Sequence, residues 1–150
     1  MLKKEYTKTN SEMLAEDIYL HDAMLSKLIW DYQDRFVSID VTNWEKKEIG
    51  RLSFCGAIYV TGSALALWNG GVEYPIYLDC IFVAPDGIVS DLVANCVQIS
   101  KAAPETCALP NPDDYFCVVL GTTAGDELKF IVEKVVWEQP VNPAPLFILS

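Results

Sequence analysis

The side chains with the reach for chemistry in this chain of 150 residues are few and scattered. A single histidine, His21, stands directly before Asp22. A Ser-His-Asp or Cys-His site needs a nucleophile within reach of its base. The nearest approach to a nucleophile elbow, Thr61-Gly62-Ser63-Ala64-Leu65, lacks the second glycine of Gly-x-Ser-x-Gly. A metal site begun by His21 and Asp22 has no second histidine and no carboxylate at helical spacing to complete it, and neighbours on a strand point to opposite faces. The pair is expected to bond to backbone at the start of the first strand. Gly121-Thr122-Thr123-Ala124-Gly125 resembles a phosphate cradle, but it lacks the Gly-Lys-Ser/Thr ending and leads into a strand, so it reads as a hairpin loop.

Asp113 and Asp114 could do acid-base work only if a cleft held them and moved their pKa values. In a proline-rich loop they read instead as solvated carboxylates. The five cysteines, Cys55, Cys80, Cys96, Cys107 and Cys117, form no Cys-x-x-Cys pair and read as free buried thiols. Trp30, Trp44, Trp68 and Trp137 could floor a small-ligand cavity, although core packing is the simpler reading for Trp30 and Trp137. These residues call for no cofactor and no metal, and they argue against an enzyme.

Charge carries more information. The net charge of −10 divides unevenly: residues 1–72 sum to −2, residues 73–127 to −8, and residues 128–150 balance. Lys101 is the one cation of the middle block, among Glu73, Asp79, Asp86, Asp91, Glu105, Asp113, Asp114, Asp126 and Glu127. Such a surface repels phosphate backbones and anionic membranes and steers basic partners towards it. Nucleic acid and membrane are therefore poor partners. Within the block, Asp91, Asp113 and Asp114 are the candidate interaction residues. The uncharged stretch from Leu52 to Val72 is interrupted by Gly, Ser, Thr and Asn, and its alternation suits buried strands better than a membrane span. The amino terminus has positive charge but no apolar run behind it, so it does not read as a secretory signal, and a cytoplasmic location is expected.

The elements that must position these residues are mostly strands. Residues 1–10 are expected to be flexible, and 10–19 suggests a short helix capped by Asn10 or Ser11. Leu28, Trp30 and Tyr32, then Val37, Ile39 and Val41, alternate with polar residues and predict a hairpin from Leu25 to Thr42. A loop over 43–50 leads to a strand carrying Leu52, Phe54, Gly56, Ile58 and Val60 on one face, with Ala64 to Trp68 pairing back and a further strand over 72–83. Paired apolar residues every four positions favour a helix over 88–99, and the three prolines of 102–112 mark a loop. Phe116 to Leu120 and Leu128 to Trp137 form a second hairpin. The tail over 140–150 ends in Leu146-Phe147-Ile148-Leu149, which should dock on the core, on itself or on a second copy, so that a homo-oligomer could form through 146–149. The sum is a single mainly β (α+β) domain over 1–150, an antiparallel barrel or sandwich with one or two short helices.

The run His21-Asp22-Ala23 with Leu25, Leu28 and Asp31, followed by Val37-Ser38-Ile39-Asp40-Val41, resembles a group of small bacterial domains of unassigned function. The likeness continues in Leu52-Ser53-Phe54-Cys55-Gly56-Ala57 and in the closing hairpin, and it leaves out about 72–112. Some of those domains are suspected immunity proteins, which neutralise toxins of neighbouring bacteria. The acid block and the absence of catalytic groups lead to the expectation of a non-enzymatic protein-binding domain, and the resemblance implies an immunity-type inhibitor meeting a basic surface. The alternative is a small-ligand-binding β-barrel.

Overall fold

The alternation around Trp30 and Ile39 does what it predicts: β2 (Met24–Asp31) and β3 (Phe36–Thr42) form an antiparallel hairpin. The structure is a computed structural model that describes residues 1–31, 33–61, 76–91 and 111–145. The remaining strands are β1 (Leu2–Thr7), β4 (Glu48–Cys55), β5 (Tyr59–Thr61), β6 (Ile76–Val83), β7 (Phe116–Thr122), β8 (Glu127–Val132) and β9 (Lys134–Gln139). They join in one antiparallel sheet in the order β1-β9-β4-β3-β2-β6-β7-β8-β5. A 3-10 turn, Ser11–Met13, runs into the single turn of α1 (Leu14–Asp17), and a helical segment covers 86–91. The fold is thus mainly β with short helices. The sheet is open and sandwich-like rather than a closed barrel, its end strands β1 and β5 being unpaired with each other.

Five strands share one register, and the cross-sheet rows explain the residue types. One row reads Trp30, Val37, Phe54, Val135 and Tyr6, all turned to the core. On the opposite face a row runs Lys27, Asp40, Arg51, Glu138 and Lys3, alternating in sign from strand to strand. Opposite charges directly across a strand pair favour each other and like charges do not, so this ladder supports a single register. Arg51 Nε donates to Asp40 Oδ1 at 2.6 Å within it.

The sheet folds over at one corner. The strand expected over 52–60 breaks at Gly56, whose φ of +66° lies where a side chain is strained. The strand expected over 128–137 breaks at Glu133, which donates its N–H to the Cys55 carbonyl at 3.0 Å. The core therefore takes Leu128, Phe130 and Val132 and then, one step out of phase, Val135 and Trp137. Both chains leave the five-strand half side by side. β5 and β8 then pair with each other, and Phe54 stacks on Phe130 with ring centroids 4.2 Å apart and planes 4° from parallel.

Strand β7 is buried on both faces, which accounts for the unbroken apolar run Phe116 to Leu120. Phe116, Val118 and Leu120 enter the main core. Cys117 and Val119 join a second cluster with Ala84, Val89, Tyr115 and Ile131.

Several expectations need correction. Within 1–10, where no element was expected, Leu2–Thr7 form β1, with Tyr6 fully buried and the strand paired to β9. The loop over 43–50 is shorter because Ile49 and Gly50 are buried in β4. Asn10 precedes the helical turn but gives it no side-chain cap. Its amide turns back to β1 instead, accepting from the Thr7 N–H at 2.8 Å and donating to the Glu5 carbonyl at 3.1 Å. The helix favoured over 88–99 is present as far as 91, and its remainder lies outside the described residues, as do the expected pairing strand 64–68, most of the 102–112 loop and the 146–149 end of the tail. Before that end, the Ala144 N–H donates to the Glu48 carbonyl at 3.2 Å and Asn43 Nδ2 donates to the Pro145 carbonyl at 3.0 Å.

Gly50 lies beneath the Trp137 ring, where an added Cβ would sit 2.5 Å from the indole edge and 2.7 Å from the Glu138 carbonyl oxygen. The indole N–H finds no hydrogen-bond acceptor among the described residues, so close apolar packing has to hold this side chain in place. Replacing Gly50 by Ala should overpack this contact and lower unfolding stability by about 1–3 kcal/mol, read as a lower urea midpoint at unchanged slope.

Candidate functional site

Asp113 and Asp114 stand on a 3-10 turn, Pro112–Asp114, held by the Asx geometry of Asn111. Asn111 Oδ1 accepts from the Asp113 N–H at 3.1 Å, and the Asn111 carbonyl accepts from the Asp114 N–H at 3.0 Å. Both carboxylates are exposed and line a surface depression of about 380 Å³ with Thr7, Lys8, Thr9 and Glu133. Glu133 belongs to the corner of the sheet. A Cβ at Gly56 would fall 2.8 Å from its Cδ, so that glycine makes room for the acid. Glu133 also hydrogen-bonds the Tyr115 hydroxyl, and burial first, then the Glu133 charge, pushes that phenol up.

The third candidate, Asp91, is exposed on the helical segment over 86–91 and does not line this depression. The three acids therefore share one half of the molecule without forming one pocket. Sequence reasoning missed Glu133, Thr7 and Thr9, because the corner that brings β1, β8 and β9 to the Asp113 turn leaves no local pattern.

Charge is distributed differently over the two halves. Residues 76–91 and 111–132 carry seven acids, Asp79, Asp86, Asp91, Asp113, Asp114, Asp126 and Glu127, against Lys129. Of these, Asp86, Asp91, Asp113, Asp114 and Glu127 form no ion pair among the described residues. In the other half nine bases stand among twelve acids: Asp17 pairs with Lys4, Asp40 with Arg51, Glu45 with Lys47, and Glu5 with Lys3 and Lys134, while Glu12, Glu16, Asp31, Asp34, Glu48 and Glu138 form no ion pair among the described residues. Carboxylates left unneutralised keep a long-range field, and paired ones largely cancel theirs.

His21 proves to be a structural bridge. Its Nδ1 lies 2.8 Å from Asp79 Oδ1, and its Nε2 lies 3.4 Å from Asp22 Oδ2. The expected bonding of these side chains to backbone is not found among the described residues: both ring nitrogens of His21 face carboxylates, and at Asp22 it is the main-chain N–H that donates, to the Leu78 carbonyl at 2.9 Å. The bridge sits where β2 meets β6 over only Met24↔Tyr77 and Leu25↔Ile76, the short seam between the two halves. Asp79 is 58 residues from His21 in sequence, so no spacing rule could have found it.

Lys4, Tyr6 and Asp17 form a second linked group, lining a depression of about 360 Å³ with Leu2, Lys3, Trp137 and Gln139. The Tyr6 hydroxyl donates to Asp17 Oδ2 at 2.9 Å, and Lys4 pairs with the same oxygen. Burial first, then Asp17, raises the Tyr6 pKa. The hydrogen bond from Lys4 first, then that from Tyr6, holds the Asp17 carboxyl below its ordinary value.

Among the described residues no group of three or more His, Cys, Asp or Glu is placed to hold a metal ion. Cys55 is half-buried, Cys117 buried and Cys80 exposed, all three unpaired, so the expectation of buried thiols fails at Cys80, which stands beside a bulge in β6. Burial raises the pKa of both the Cys55 and Cys117 thiols. The tryptophans do not converge: Trp137 is in the core, Trp30 packs against its edge, Trp44 is 57% exposed, and Trp68 lies outside the described residues. No helix among the described residues is long and apolar enough to cross a membrane.

No protein-family model matches the chain, and no curated protein matches it. Among solved structures it is similar to an uncharacterized protein from Neisseria gonorrhoeae, at 10% sequence identity and a TM-score of 0.48, over 93% of this chain and 100% of that one.

Because the Asp17 pKa is lowered by folding, its contribution to stability is present above the unfolded carboxyl value of about 3.9 and is lost as pH falls through the folded value. Asp17→Asn should therefore flatten the acid limb of the stability profile below about pH 4, measured by urea unfolding across a pH series. An unchanged acid limb would show that the Lys4–Asp17–Tyr6 group is not coupled to folding. Asp79→Asn removes a half-exposed pair and should cost less than about 1 kcal/mol in the same assay.

Proposed function

We propose that this chain is a non-enzymatic protein-binding domain, an immunity-type inhibitor whose acidic half meets a basic partner surface. The observation that carries the reading is the asymmetry of net charge between the two halves. Asp86, Asp91, Asp113, Asp114 and Glu127 lie exposed without an ion pair among the described residues, and Lys129 is the one described base beside the seven acids of that half, whereas the rest of the described chain sets nine bases against twelve acids. Clustered unpaired carboxylates raise association rates with cationic proteins and repel nucleic acid, so they favour a protein partner over a polyanion. The depression at Asp113, Asp114 and Glu133 suits an Arg or Lys side chain, since carboxylates accept charge-assisted hydrogen bonds from both.

The constellations that could have supported an enzyme point elsewhere. His21 faces two carboxylates at the seam, and the Cys55 and Cys117 thiols are held in their protonated forms by burial. The resemblance of the His21-Asp22-Ala23 opening and its hairpin to suspected immunity domains supports the same reading.

The test is surface plasmon resonance against a panel of basic bacterial toxin domains in inactivated form. A cognate domain should bind with an association rate that falls steeply as salt is raised. The triple variant Asp91→Lys, Asp113→Lys, Asp114→Lys should slow that association about tenfold or more while dissociation changes less. Identical association by wild type and triple variant would remove the acidic half from the interaction.

A further inference from the structure

Strand β1 forms one edge of the sheet among the described residues, and that edge is only half closed. Asn10 covers its carboxy-terminal part. It accepts from the Thr7 N–H, donates its side-chain amide to the Glu5 carbonyl, and donates its own backbone N–H to the Thr7 carbonyl at 3.2 Å. In a strand, the N–H and C=O of one residue point to the same side and alternate with the next. The Thr7 N–H faces the free edge, so the backbone groups of Glu5 and Lys3 do as well. Among the described residues the Lys3 N–H, the Lys3 carbonyl and the Glu5 N–H of this edge have no partner, and a carbonyl has a second lone pair, so the Glu5 oxygen can still accept.

We propose that this open stretch is a docking edge for β1 of a second copy of the chain, paired antiparallel about a two-fold axis at Lys4. The charges choose the register. Lys3 and Glu5 lie on the same outer face of β1, both about half exposed at 58% and 52%. A two-fold pairing that joins edge-facing residues can centre on Lys3, Lys4 or Glu5. Centring on Lys3 sets that lysine against its own copy, and centring on Glu5 does the same with the acid and drives Thr7 into the edge that Asn10 has closed. Centring on Lys4 sets Lys3 against Glu5 twice, the favourable arrangement for a directly opposed pair. Lys4 and its copy then meet across the axis on the inner face, where each is already neutralised by its own Asp17. The slot opposite Tyr6 is already taken by the Asn10 amide, which bridges the Glu5 carbonyl and the Thr7 N–H, so the paired stretch ends at Lys3 in each copy.

An edge left unpaired in this way is a template for strand addition, and proteins that avoid such association block the edge along its length. Here Asn10 confines the pairing to Lys3 and Glu5, which makes the association short and weak. The contact uses the edge opposite to β5 and none of Asp91, Asp113 or Asp114, so it stands independently of the proposed partner surface.

Sedimentation equilibrium over a wide concentration range is the test, with far-UV circular dichroism to verify that each variant is folded. Wild type should show reversible dimerisation, and the amide protons of Lys3 and Glu5 should exchange more slowly at high concentration. Lys3→Glu alone and Glu5→Lys alone each place like charges opposite one another twice and should weaken the dimer at least about tenfold. The double variant carrying both changes restores opposite charges and should regain it. A wild type that stays monomeric throughout, or folded single variants that dimerise as before, would overturn the proposal. So would a dimer that Phe147→Ser abolishes and Lys3→Glu leaves intact, since that result places the contact in the tail.

Discussion

The stack of Phe54 on Phe130 is the contact on which the rest of this molecule depends. These rings belong to β4 and β8, far apart in the strand order, and they meet only because the sheet turns over at Gly56 and Glu133. Without that corner the inner rows of the two halves would have no apolar surface to face. With it, each half covers the other, and Leu25, Leu52, Leu78, Leu120 and Leu128 are all fully buried. Burying apolar area is the dominant favourable contribution to folding, so the corner sets stability as well as shape.

The same corner places functional groups. It sets Glu133 over Gly56, brings it into hydrogen bonding with Tyr115, and lets it line the depression with Asp113 and Asp114. The surface facing outward from the five-strand half carries a ladder of alternating charge, from Lys27 to Lys3, in which Arg51 pairs with Asp40. The acidic half has no such ladder. One sheet thus carries a face of mixed, alternating charge and another that is mostly acid, and the division follows the fold of the sheet.

Edge and seam show how little backbone pairing a junction needs when side chains support it. β2 and β6 share two residue pairs, reinforced by His21 against Asp79 and by the backbone bonds between Asp22, Ala23 and Leu78. β1 is held through buried Tyr6 and the Lys4–Asp17 pair, and Asn10 covers half of its outer edge. In both places a polar side chain performs work that a further strand would otherwise do.

Much of this was legible in the sequence, because alternation with period two is local and survives any tertiary arrangement. The hairpin at Trp30 and Ile39, the strands at Phe54, Phe116 and Phe130, the mainly β class and the uneven acid all follow from residue order. The breaks at Gly56 and Glu133 were not legible, since each lies inside an apparently continuous alternating run and is fixed by the other across the sheet. The edge strand at the amino terminus was missed for a related reason: only its pairing with β9 gives Tyr6 somewhere to be buried. The acidic composition came from sequence alone. Which carboxylates are paired, as Asp17 and Asp40 are, and which stand without an ion pair among the described residues, as Asp91, Asp113 and Asp114 do, was decided only by tertiary structure, because ion pairing depends on distances that residue order does not set.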